Sequence, residues 1–201
     1  MKSETVNQDK CLFDKETGSE IGREGLVELL KKYDVPFDSW GTGESKTAEH
    51  LLSEINLGES DLVEERGILV KKSFVAAINV YYKQGDKIFK LKEAKQIFYD
   101  GREKVRDLET SIGEKMRPGE SASSAAYRAL SEELGIKERI ELKPVSPITK
   151  GPVASQSFPG LQSKFFINVF EIFLPDSMYK PDGYKEQQAD KESIFIWEEI
   201  N

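Results

Sequence analysis

One strongly helical segment set between strand-like runs constrains this chain more than any other feature. Residues 121–134, SASSAAYRALSEEL, bring Ala122, Ala125, Ala126, Ala129, Leu130 and Leu134 round to one helical face, and Gly135 supplies the C-cap. Before it, Ile68–Val70 and Phe74–Tyr82 are β-branched and aromatic, Gln84-Gly85-Asp86 is a turn, and Lys87–Leu91 and Gln96–Tyr99 continue the strand pattern. After it, strands are expected at 138–142, 164–174 and 192–197, with loops marked by Pro144, Pro147, Pro152, Pro159, Pro175 and Pro181. Strands on both sides of one central helix predict an α/β or α+β layered domain.

The segment ahead of this body differs in kind. Residues 21–33 place Leu26, Leu29, Leu30 and Tyr33 on one helical face and end at Pro36; residues 46–56 repeat Ala48, Leu51, Leu52 and Ile55, with Gly58 as the stop. Residues 1–20 read as a loose polar leader. Charge follows the same division: residues 1–67 carry 8 basic and 16 acidic side chains, and residues 68–201 carry 21 and 20. The expected organisation is an acidic, mainly helical segment over 1–67 and a second domain over 68–201.

Composition removes several classes of function. A single cysteine, Cys11, and a single histidine, His50, exclude an internal disulfide and a Cys/His zinc site. The longest wholly apolar run, Phe74 to Ile78, is far below the ~20 residues of a membrane span. MKSETVNQDK has no signal-peptide core. A net charge of −7 argues against nonspecific nucleic-acid binding. A cytoplasmic protein without membrane or nucleic-acid partners is the expectation.

The chemistry concentrates in residues 113–136, GEKMRPGESASSAAYRALSEELGI. Arg128 and Glu132 lie four apart on one helix face, Glu132 and Glu133 project about 100° apart, and Glu120 near the helix start can fold back over the first turn. Facing carboxylates are costly unless a cation neutralises them, and oxygen-only donors favour Mg²⁺ or Mn²⁺. Such an ion binds phosphate oxygens and activates water.

This stretch resembles the Nudix box. Glu120, Arg128, Leu130, Glu132, Glu133, Gly135 and Ile136 stand at the family's spacing, preceded by Pro118-Gly119. The resemblance implies an α/β/α sandwich with a mixed sheet, and Mg²⁺- or Mn²⁺-dependent hydrolysis of a small phosphoanhydride such as a nucleoside diphosphate linked to another group. It implies Glu120, Glu132 and Glu133 as metal-site carboxylates, with Glu133 and Glu132 in catalysis and Arg128 orienting them. Two positions depart. Glu114 stands where the box glycine belongs, and Ala129 stands where a glutamate follows the arginine, a position expected on the metal-facing side. Glu114 is either a replacement metal ligand or a solvated loop residue.

Further candidates lie outside the box. Phe158, in Ser157-Phe158-Pro159-Gly160-Leu161, is either a stacking surface for a base or an apolar turn anchor. Arg117 is assigned to substrate, and the basic residues at 87, 90, 92, 95, 102, 104 and 106 are candidates for holding phosphates. Glu186, Asp190, Glu192 and Glu171 are open candidates for a general base or extra ligand. Trp40-Gly41-Thr42-Gly43-Glu44-Ser45-Lys46-Thr47 lacks the glycines of a phosphate loop and reads as a turn, and His50 reads as a packing or surface residue. The run 195–200 is similar to the family's last strand, after which a final helix usually follows; either that helix is missing from this sequence or the acidic N-terminal helices cover that face instead. The rival reading is a nucleotide-binding or regulatory module impaired by Ala129. Isomerase chemistry on an allylic diphosphate ranks below both, because Cys11 lies in the leader. Substrate identity stays open, as does assembly, a homodimer among the options.

Overall fold

The computed structural model describes residues 10–11 and 21–200. Apart from Lys10 and Cys11, the leader expected over 1–20 lies outside the described residues. In chain order the elements are β1 (Lys10–Cys11), α1 (Arg23–Lys32), α2 (Ala48–Asn56), β2 (Ser60–Glu65), β3 (Ile68–Gln84), β4 (Lys87–Phe98), β5 (Glu103–Val105), β6 (Ile112–Lys115), α3 (Ala122–Leu134), β7 (Lys143–Pro144), β8 (Ile148–Ala154), β9 (Gln162–Phe173), β10 (Tyr184–Gln187) and β11 (Lys191–Ile200). The α/β class expected from the sequence is the one observed.

Two compact units divide the chain, and not at residue 67. The first comprises Met1–Phe74 together with Thr149–Phe166; the second comprises Val75–Ile148 and Ile167–Asn201. In the first unit, Leu26 and Leu30 of α1, Leu51 and Ile55 of α2, and Leu62 of β2 build a core that also takes in Phe158 and Leu161. The late loop belongs to this unit because its backbone and side chains are tied into it. Ser157 O accepts from Lys46 N–H at 2.8 Å, and Trp40 Nε1–H donates to Pro159 O at 2.8 Å. Gly160 sits at φ +91°, where a Cβ would fall 2.3 Å from Pro36 Cδ, so only glycine allows this approach.

The first unit also explains two features of the acidic segment. Thr42 and Ser45 close a hydrogen-bonded turn ahead of α2. His50 caps α2: its Nδ1 accepts from Thr47 N–H at 3.2 Å while Thr47 Oγ1 accepts from His50 N–H. The segment is not purely helical, since β2 pairs antiparallel with β3 from Ser60↔Ser73 to Glu65↔Ile68.

In the second unit, β11 pairs antiparallel with β4 from Lys191↔Phe98 to Ile200↔Ile88, β10 pairs with β11, β5 with β4, and β6 with β3. Helix α3 buries Ala125, Ala126, Ala129, Leu130 and Leu134 against Ile78, Val80, Leu91, Ile112, Ile172 and Phe195. The short alanine side chains let the helix backbone approach the strands closely. Ser121 Oγ caps the start by accepting from Ser124 N–H at 3.1 Å. Gly135 at φ +69° ends the helix, and Ile136 N–H closes on Leu130 O at 3.0 Å. The strand expected at 138–142 is absent. That segment runs as a loop, with Ile140 and Leu142 packed on the core and Ile140 O accepting from Tyr127 Oη; pairing begins at Lys143↔Glu171.

Candidate active site

Arg128 is the hub of the loop–helix segment. Its Nε and Nη2 reach Glu120 Oε1 and Oε2 at 3.1 and 2.9 Å, and Nη2 also donates to Lys115 O at 2.8 Å. Its Nη1 lies 3.5 Å from both Glu132 Oε2 and Glu114 Oε1. One planar guanidinium on α3 thus ties together β6, the Pro118-Gly119 turn and its own helix. Arg128 and Glu120 are both largely buried, so this fork is far stronger than an exposed i,i+4 pair with Glu132 alone. The fork holds the Glu120 carboxyl below its ordinary range, assisted by the Arg117 N–H at 2.9 Å. Arg128→Lys keeps the charge and loses the fork, so chemical denaturation should show a loss of about 1.5–3 kcal/mol.

The Glu120 carboxyl is held within the segment. Both of its oxygens are engaged in locking the turn to the helix. Glu132 is half-exposed and faces Arg128 and, at 3.8 Å, Arg117. Arg117 itself is open to solvent.

Glu133 is the unusual member. Its Oε1 is buried with no hydrogen-bond partner. Burial pushes the carboxyl up to about 9, and the charges of Glu186, Glu114 and Glu93 push the same way, against a hydrogen bond from the Gly113 backbone. Glu186, from β10, is also raised, chiefly by burial; Lys191 opposes that shift and the charges of Glu93 and Glu114 add to it. The charges of carboxylates on β10, β6 and β4 thus bear on Glu133 of α3.

The sequence candidates differ in their surroundings. Glu114 belongs to this group through its charge, although its Oε1 also accepts from Lys115 N–H at 2.9 Å. Of the four candidates for a base, Glu186 is the one that acts on Glu133. Glu171 lies on β9 opposite Lys143, Glu192 is 3.8 Å from Lys185, and Asp190 meets Tyr99 through its backbone oxygen. Ala129, expected on the metal-facing side, is completely buried in the apolar core beneath α3. Phe158 has no exposed surface and packs on Trp40 with ring centres 5.2 Å apart, so it anchors the turn and offers no face to a base.

Glu93 escaped the sequence reading. It is buried on β4, where Gln96 Nε2 donates to Oε1 at 2.7 Å and Arg106 Nε donates to Oε2 at 3.1 Å. The available signal was its two-residue offset from buried Leu91, which puts a carboxylate on the apolar face of a strand.

Among the described residues, no three His, Cys, Asp or Glu side chains are arranged to hold an ion as they stand. The donor chemistry nevertheless fits a hard divalent cation: an unpartnered buried oxygen on Glu133 beside further carboxylates, with oxygen donors throughout.

No protein-family model and no curated protein matches the sequence. Among solved structures, similarity extends to a mutT/nudix family protein from Listeria innocua, with 17% identity, 52% of this chain and 66% of that chain covered, and a TM-score of 0.37. The E. coli dihydroneopterin triphosphate pyrophosphohydrolase is 16% identical over 62% of this chain and 78% of its own, with a TM-score of 0.38. The C. elegans Ap4A hydrolase is 16% identical over 62% and 77%, with a TM-score of 0.31. The chain spans just under two thirds of the first of these proteins.

Proposed function

We propose that this chain is a Nudix-type hydrolase of a small phosphoanhydride, dependent on Mg²⁺ or Mn²⁺. The observation that carries this reading is the buried Glu133 carboxylate, whose Oε1 has no hydrogen-bond partner and on which the charges of Glu186, Glu114 and Glu93 act. These surroundings oppose ionisation of Glu133, and a divalent cation is the natural relief. Glu133, Glu186 and Glu114 would hold the ion. When bound, it would polarise the diphosphate and acidify water.

The chain's own residues have separate tasks in this reading. Arg128 and Glu120 fix the turn against α3, and so fix the height at which Glu133 is presented. Glu186 is half-buried with raised proton affinity and suits acceptance of a proton from attacking water. Glu93 is held in place by Arg106 and Gln96.

The alternative, a binding module without turnover, is favoured by one observation: the lost box carboxylate is replaced by an alanine packed fully into the core. A screen of nucleoside diphosphate sugars, dinucleoside polyphosphates, oxidised nucleotides and coenzyme A with Mg²⁺ and Mn²⁺ separates the two. Metal-dependent phosphate or nucleotide release is the expected result. Tight nucleotide binding with no release from any of them would favour the module.

A further inference from the structure

The basic residues ahead of the box are already engaged. Lys87 pairs with Glu199 at 2.8 Å, Lys92 with Glu198 at 2.6 Å and Lys95 with Glu103 at 3.0 Å. Arg102 pairs with Asp100 at 2.8 Å and Arg106 with Glu93 at 3.1 Å, while Lys90 donates to Glu109 O. Two cations just after α3 differ. Among the described residues, neither Lys137 nor Arg139 is ion-paired.

The end of α3 brings these two to one place. Gly135, at φ +69°, turns the chain back. Ile136 is buried, with its N–H on Leu130 O, and Ile140 O accepts from Tyr127 Oη at 2.7 Å. These two ties lay residues 136–140 back along the helix. Ser124, Tyr127 and Ser131 stand at i, i+3 and i+7 and share one face of α3. Between that face and the returning segment lies a cavity of about 320 Å³, lined by Ser124, Tyr127, Ser131, Ile136, Lys137 and Arg139. It is distinct from the carboxylate site: at 100° per residue, Ser131 and Glu133 project about 160° apart.

The lining has the chemistry of an anion site. The Arg139 guanidinium carbon is 5.5 Å from the centre of the Tyr127 ring, which fixes the cation at the cavity wall. Tyr127 is itself held by its bond to Ile140 O. Lys137 enters from the same segment, and no acidic side chain is part of the lining. Glu138, between the two cations in sequence, turns its Oε2 to the Lys137 N–H at 3.2 Å. Ser124 Oγ is shared with Ser121 Oγ at 2.8 Å, whereas Ser131 Oγ has no hydrogen-bond partner among the described residues. The volume stands at the lower end of the roughly 300–1,000 Å³ of small-molecule sites, which suits a ligand of sugar-phosphate size.

We infer that this cavity is a second binding site, for a small phosphate monoester. Lys137 and Arg139 take the phosphate, Ser131 donates a hydroxyl, and Tyr127 is the positioning residue for Arg139. The site does not depend on the hydrolase reading, because none of its residues belongs to the surroundings of Glu133.

The test is calorimetric titration of the full chain with ribose 5-phosphate, inorganic phosphate and ribose in metal-free buffer, where no bound ion draws phosphate to the carboxylates. The parent should bind ribose 5-phosphate, inorganic phosphate more weakly, and ribose not at all. Lys137→Ala and Arg139→Ala should each weaken ribose 5-phosphate binding by about tenfold. Ser131→Trp fills the cavity and leaves both charges, and should weaken binding at least as much. Lys83→Ala removes an exposed cation at the far end of β3 and should bind as the parent does. Backbone amide shifts on titration should centre on residues 124–139. Absence of binding by the parent, parental binding in the Lys137 and Arg139 variants or in Ser131→Trp, an equal loss in Lys83→Ala, or shifts centred elsewhere each overturns the site. Binding with the expected variant pattern, and no phosphoanhydride hydrolysed by the parent, would leave this site standing and sink the hydrolase.

Discussion

Glu133→Gln is expected to abolish metal-dependent hydrolysis while making the metal-free chain more stable at alkaline pH. The two effects have one cause. The Glu133 carboxyl is pushed from 4.5 to about 9 in the folded chain, by burial first and by Glu186, Glu114 and Glu93 next. Between those values the folded chain keeps a proton that the unfolded chain has released, so stability falls as pH rises through this window. Glutamine has the same shape and no charge to release, so the fall should flatten. Thermal melts of both proteins at pH 6 and pH 9 without metal check this: the variant should gain on the parent as pH rises. Adding Mg²⁺ or Mn²⁺ at pH 8 should then stabilise the parent and leave the variant nearly unchanged, because a ligand that binds only the folded form adds stability by mass action. Turnover should drop on the order of 10²–10⁴-fold. A variant with parental turnover and a parental pH profile would remove Glu133 from the site.

The loop–helix segment was legible in the sequence because its signals are local. Ser121 and Gly135 act where the sequence puts them, at the two ends of α3, and Arg128 reaches Glu120 because eight residues of turn and helix bring them to one side. The strands were less legible where charge interrupts them. Lys71 and Lys72 look like a break between Ile68–Val70 and Phe74–Tyr82, yet β3 runs through them without interruption. Both lysines are buried and compensated, Lys71 by Glu54 at 2.9 Å and Lys72 by Glu65 at 2.9 Å. Their partners come from α2 and β2, at separations no local pattern encodes. The segment 138–142 fails in the opposite sense: its alternation is that of a strand, but Ile140 and Leu142 use it to pack as a loop. Glu93 combines both difficulties. Its meaning depends on Arg106, on Gln96 across a bulge, and on carboxylates from three other elements. A motif read along the chain finds Glu133, while the group that gives Glu133 its properties exists only after β4, β6 and β10 are in place.

Phe158 carries the other large expectation, and it is one of stability. The ring is fully buried against Trp40, with Lys71 Nζ 5.4 Å from its centre, inside the core built by α1 and α2. Phe158→Ala removes that ring from a closed site and should cost about 3–5 kcal/mol, read from urea unfolding. The same residue in a substrate pocket would behave differently, and Phe158→Leu tells the two apart. Leucine keeps most of the apolar volume, so its cost should be clearly smaller than that of alanine, and KM for any substrate found should stay at the parental value. A base-stacking role gives the reverse pattern, little change in unfolding and a KM raised several-fold. The first pattern is expected, because the loop that presents Phe158 is already committed: Ser157 O to Lys46 N–H, Pro159 O to Trp40 Nε1–H, and Gly160 against Pro36. A ring fixed on three sides by its own unit's backbone and core anchors the late loop there.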